Sequence, residues 1–341
     1  MIQARLNGLF NSSKVEMELP STNMFANLPV EITLNIFSCL AQSDLARCAA
    51  VSREWYIISS DPTLWHHLEL SNLRHTSLPS HALPPSLARR LGVCRSLTLD
   101  STTHINPTDI LRLLYHASYS PNLHSLTLTS LTNFRSVSSH LGHFFLTTKS
   151  RCLTHVDLSG TAIDTPVVQA LMKTHRSTLL VLKLAFTEIG DGALRAVAAG
   201  ERLRSISLAG CFGLSRGALR AWMGRRVPWS VRRVDLRWLV DVRVGWVADL
   251  LARNARQGGG KGSLETVDVS GCERLTLKEV QSLEERWRGV EVTNSAVLLV
   301  EGGIWGYRLT EHPTMPQPLS TIGDVAGITT VSSSQRVANV C

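Results

Sequence analysis

The chain has no long apolar run. Its nearest candidate, Ala296 to Val300, meets Glu301 and two glycines at once, far short of the roughly 18 residues that span a bilayer. No membrane span is expected. The N-terminus lacks the continuous apolar core of a secretory signal, because Arg5, Lys14, Glu16 and Glu18 interrupt it, and a cytoplasmic or nuclear location is therefore expected. Cys-x-x-Cys pairs are missing too. The seven cysteines (Cys39, Cys48, Cys94, Cys152, Cys211, Cys272 and Cys341) are odd in number and scattered, which suits small buried apolar groups better than a disulfide framework or a zinc ribbon. Neither a His-Glu-x-x-His nor a Gly-x-Ser-x-Gly pattern occurs, and Gly258 to Ser263, GGGKGS, lacks the Gly-Lys-Ser/Thr order of a phosphate loop and precedes a strand. The chain reads as a non-enzyme, with no catalytic residue, metal or cofactor expected.

Charged residues make up only 18%, against 44% apolar, so most of the 341 residues should fold. From Asn27 the sequence is dense. Pro29 fits a first-turn helix position, and Ile32, Ile36, Phe37 and Leu40 recur at helical spacing. Ser43 can cap a second helix carrying Leu45, Cys48 and Val51, and Arg53 to Ile58 reads as a third. Three helices in about 45 residues cannot bury all these side chains among themselves. The surplus implies a partner. Leu28-Pro29-x-Glu31-Ile32, Ile36-Phe37-x-x-Leu40, Leu45, Val51-Ser52-Arg53-x-Trp55 and Leu64-Trp65 together resemble an F-box. That resemblance implies docking to the Skp adaptor of a cullin-RING ubiquitin ligase through Leu28, Pro29, Ile32, Ile36, Leu40, Leu45, Val51 and Trp55.

The remainder repeats. An apolar-x-x-apolar-x-apolar phrase recurs eight times, centred on Leu97, Leu126, Val156, Leu182, Ile206, Val234, Val267 and Val290. Its mean spacing, near 28 residues, falls in or just above the range of leucine-rich repeats. Helical spacing between phrases marks Asp164 to Met172, Gly192 to Ala199, Ser215 to Met223, Val244 to Ala255 and Leu277 to Trp287. The segment 131–150 reads as an insertion. Cys211 and Cys272, three residues past their strands, resemble the cysteine-containing class of leucine-rich repeats, with Thr161 and Thr187 in the same place. The expected fold is an α/β solenoid: a three-helix F-box, then about eight strand-helix repeats in a curved array. The expected boundaries are a disordered 1–24, the F-box at 25–70, a linker at 71–92, repeats at 93–295, a cap at 296–311 and a disordered tail at 312–341.

Alternate strand residues point to opposite faces, so the residues between the apolar anchors line the concave side. They are short and mostly polar, and Lys183, Arg233 and Arg237 stand out as an anion contact for an acidic or phosphorylated protein substrate. Phe186 and Trp238 occupy turns where other repeats have Gly160, Gly210 and Gly271. They read either as an interface hot spot or as packing under adjacent loops. Arg216 to Arg256 holds ten arginines and three acids, +7 of the net +8; most of these arginines read as a solvated convex surface. Acids on the concave face argue against nucleic acid. The resemblances imply a substrate receptor of a Skp-cullin-F-box ubiquitin ligase; a Skp-bound scaffold acting outside a ligase is the alternative.

Overall fold

The computed structural model describes residues 28–70, 83–100, 107–131, 138–257, 263–287 and 289–294. The segments 1–24, 296–311 and 312–341 and most of the glycine-rich loop lie outside them. Three short helices open the described chain: α1 (Val30–Ser38), α2 (Gln42–Cys48) and α3 (Arg53–Ser59). Ser52 caps α3 by accepting from the Trp55 N–H at 3.2 Å, whereas Ser43 lies inside α2, whose cap position is Ala41. A 3-10 turn, Pro62–Trp65, leads into β1 (His67–Glu69).

Strands and helices then alternate: α4 (Pro85–Val93), β2 (Ser96–Asp100), α5 (Pro107–Ala117), β3 (Ser125–Thr129), α6 (Ser138–Thr147), β4 (His155–Asp157), α7 (Thr165–His175), β5 (Val181–Lys183), α8 (Asp191–Val197), β6 (Ser205–Ser207), α9 (Arg216–Ala221), β7 (Arg233–Asp235), α10 (Val244–Gln257), β8 (Thr266–Asp268), α11 (Leu277–Arg286) and β9 (Glu291–Thr293). The nine described strands form one parallel sheet in chain order. Each helix is the crossover that a parallel connection requires. Leu68, Leu97, Leu126, Val156, Leu182, Ile206, Val234, Val267 and Val292 face one another in register, and all are buried in one continuous core.

Four expectations are corrected. Within the segment expected as an insertion, the described residues form a repeat helix: α6 turns Leu141, Phe144 and Phe145 inward at three- and four-residue spacing. The stretch 71–92 contains most of α4, with Leu91 in the core. Strand β1 extends the sheet one strand ahead of the first expected phrase. In the last repeat Val292, not Val290, stands opposite Val267; a slip of two residues preserves which side chains face the core, so Glu291 and Thr293 keep their expected side.

Two rows of side-chain donors stitch the repeats together. Past the strands, Thr161 Oγ1 donates to the Leu128 carbonyl at 2.6 Å, Cys211 Sγ to Leu184 at 2.9 Å and Cys272 Sγ to Leu236 at 3.2 Å. Each reaches back one repeat. Burial pushes the Cys211 and Cys272 thiols up to about 11 and about 12, so both remain protonated donors at neutral pH. Before the strands, Ser120, Ser150, Thr178 and Ser230 donate to the carbonyls of Cys94, Leu123, Leu153 and Leu203. Loop carbonyls that packing removes from water thereby keep partners.

The helical head joins the sheet edge directly. Gln42 of α2 donates through Nε2 to the His67 carbonyl and accepts through Oε1 from the Glu69 N–H at 3.3 Å, filling part of the ladder that an edge strand leaves open. The Arg90 guanidinium of α4 lies 3.4 Å from the centre of the Trp65 ring, a cation-π contact across the same joint.

Candidate functional site

The head exposes what the solenoid buries. On α1, Thr33 and Phe37 turn inward while Val30, Ile32 and Ile36 remain exposed at 61%, 47% and 41%. Leu28, Pro29, Val51, Tyr56 and Ile57 are exposed as well. Leu40 and Trp55 are half-buried; Trp55 meets Phe37 edge to face with ring centres 5.3 Å apart. Leu45, placed in the docking set by resemblance, is 2% exposed and belongs to the core, so it supports the surface from beneath. Val30, Tyr56 and Ile57 were absent from that set. Their signal was their place one step off the buried stripe on α1 and α3.

The concave cations are paired. Lys183 Nζ lies 3.2 Å from Asp157 Oδ2 on the neighbouring strand. Arg237 donates through Nε and Nη2 to both oxygens of Asp235 at 2.9 Å and also approaches Asp268 at 3.5 Å. These carboxylates raise the Arg237 pKa, with burial opposing. Arg233 is the least engaged: its Nε is 3.9 Å from Glu265. Lys183 and Arg237 thus belong to a balanced face and do not form a bare anion cradle with Arg233.

Beside that face runs a row of left-handed residues, one per repeat from β3 to β8: Ser130, Gly160, Phe186, Gly210, Trp238 and Gly271, with φ between 56° and 73°. For a bulky residue this conformation is strained. The rings lie on glycines. A Cβ built on Gly210 would sit 2.4 Å from the Phe186 ring, and one on Gly271 2.6 Å from Trp238. One ring face therefore packs on the next repeat, yet Phe186 remains 39% exposed and Trp238 half-buried. The packing role is thus seen on one face of each ring. Phe212 and Val240, two residues past the left-handed positions of their repeats, are exposed too.

Comparison with known proteins identifies the helical head. Residues 25–71 match the F-box-like family. The chain is 46% identical over 41 residues to F-box/WD repeat-containing protein 8 of Homo sapiens, covering 12% of this chain and 7% of that protein. It is 42% identical over 48 residues to F-box/LRR-repeat protein 5 of Xenopus laevis, covering 14% and 7%. The aligned stretches are thus a small part of these curated relatives. The solved complex of Rad7 and Elc1 in yeast aligns with 78% of this chain and 92% of that chain at 13% identity, with a TM-score of 0.25, too low to bear on function. An F-box-like domain followed by a strand-helix solenoid gives the chain the architecture of an F-box/leucine-rich-repeat protein.

Proposed function

We propose that this chain is the substrate-recognition subunit of a Skp-cullin-F-box ubiquitin ligase. The supporting observation is the set of large apolar side chains left exposed on an F-box-like domain, Leu28, Val30, Ile32, Ile36, Val51 and Ile57, beside a solenoid whose own core is closed. Covering them with the Skp adaptor removes the apolar surface that the three helices cannot bury. The solenoid holds a protein target at its other surface and performs no bond chemistry. Its contribution is the effective concentration of a target lysine near the ubiquitin-charged enzyme. On the target side, the half-packed rings of Phe186 and Trp238 with Arg233 offer rigid aromatic contact and the least engaged concave cation. On this reading capture occurs at the rim of the sheet, and the substrate class is an acidic or phosphorylated segment.

The test is co-purification of the full chain with the Skp adaptor and a cullin. Ile32→Asp with Ile36→Asp should abolish capture while the circular dichroism and melting of the chain stay unchanged. Retained adaptor binding by the folded variant would refute the reading; adaptor binding without cullin would leave a Skp-bound scaffold.

A further inference from the structure

Four arginines on the helix side differ from those on the concave side. Arg232, Arg233 and Arg237 all lie within 4 Å of carboxylates, and Arg216 and Arg274 share Asp241. Arg220, Arg225, Arg253 and Arg256 form no ion pair with any described residue. These four line one groove of about 730 Å³ between α9 and α10, in which Asp249 is the single acid. Its other lining residues are small, Gly217, Ala221, Gly224 and Ala252, so the surface between the guanidiniums is low and open.

Local structure explains the clustering. Past α9 the chain takes a π-helical turn, Trp222–Arg226, that buries Trp222 and Met223 together and leaves Arg225 and Arg226 exposed. On α10, Arg253 and Arg256 are three residues apart and lie on one side. The Nη1 of Arg253 is buried with no hydrogen-bond acceptor among the described residues. A second hollow, lined by Arg195 and Arg226 but also by Asp191 and Trp222, adjoins the first through Ala221. The C-terminal turns of α9 and α10 contribute about half a negative charge each. Together with Asp249 they cancel roughly two of the four positive charges, and the groove stays cationic.

We infer that this arginine groove on the helix side is a second docking site, distinct from the concave face, for an acidic segment of a partner protein. Guanidinium forks suit bidentate carboxylate or phosphate contact. Single-stranded nucleic acid is disfavoured because the described residues lining the groove include no aromatic ring on which a base could stack. The site is independent of adaptor docking at the head.

The test uses the full chain and two labelled probes of equal charge, an oligoglutamate peptide and an oligouridylate. Wild-type protein should bind the peptide more tightly than the RNA, with affinity falling as salt rises. Arg220→Gln with Arg225→Gln, both exposed, should weaken peptide binding about threefold, and adding Arg253→Gln and Arg256→Gln should bring the loss to roughly tenfold. Arg47→Gln with Arg176→Gln, exposed arginines paired with Asp44 and Glu201, should change it little. Unchanged peptide binding by the first pair, an equal loss in this control pair, or tighter binding of the RNA would overturn the proposal.

Discussion

The head and the solenoid use the same apolar vocabulary to opposite effect. In α1 the inward positions are Thr33 and Phe37, while Val30, Ile32 and Ile36 face out. In the sheet, Leu97, Leu126 and Leu182 are fully buried, because each repeat meets a neighbour on either side. A solenoid supplies its own partners along its length. Three short helices cannot, and the head is closed on one side only, by Gln42 at the sheet edge and Arg90 on Trp65. Where surplus apolar surface remains thus distinguishes the part that folds on itself from the part that needs another protein.

The comparison breaks most directly by placing one charge in each region. Leu182→Asp strands a carboxylate among buried leucines and should lower stability by several kcal/mol, with faster hydrogen exchange in β4 and β6. Ile32→Asp should leave the melting temperature within about 2 °C of wild type, since surface changes are worth a few tenths of a kcal/mol. Equal destabilisation by the two would mean that the head face is already covered.

The left-handed row sharpens the contrast at a smaller scale. Gly271→Ala forces an alanine to φ 73° and drives its Cβ against Trp238; a loss of about 2 kcal/mol is expected. Trp238→Gly relieves both the clash and its own strained φ, so the alanine should cost less in that background. A double-mutant cycle with no coupling would show that the ring does not rest on the glycine. Smaller again is Thr161→Val, which keeps shape and removes the donor to Leu128; the orphaned carbonyl should cost about 1–2 kcal/mol in denaturant midpoint.

Much of this was legible in the sequence because strand anchors repeat with fixed parity, and a slip such as Val290 for Val292 does not change the face. Segment 131–150 was misread since Leu141, Phe144 and Phe145 make a helix face without a leucine pattern, and β1 because three residues carry almost no period. Leu45 was carried into the docking set by its place in a family pattern; only packing separates the surface of a three-helix unit from its support. The pairing of Lys183 and Arg237 was hidden for another reason. Asp157 and Asp235 were visible on the concave face, but whether Lys183 reaches Asp157 on the adjacent strand and Arg237 folds back on Asp235 two residues before it is a property of rotamers. The Cys and Thr positions were correctly placed past the strands, yet the donor role of Thr161, Cys211 and Cys272 depends on carbonyls one repeat away, while Thr187 bonds the Leu184 carbonyl of its own repeat.

The smallest expected effect concerns His175, at the C-terminal end of α7, buried at 3% exposure with its ring edge-on to Phe145. Burial pushes its pKa below the ordinary 6.5. The Phe145 backbone pulls the other way and less strongly, and its carbonyl already accepts from Thr174 Oγ1. A lowered pKa means that the folded chain resists a proton which the unfolded chain accepts. Stability from this group is therefore complete above pH 6.5 and declines as the pH falls from there through the folded-state pKa. His175→Leu removes the titration while keeping an apolar side chain in place. Melting temperatures of the two proteins from about pH 8 to about pH 5 should differ by a constant amount above 6.5, and the gap should move in favour of leucine below it. Parallel curves across the whole range would show that the imidazole is protonated as readily in the fold as in the open chain, and that the α6–α7 core at this point is wetter than its packing indicates.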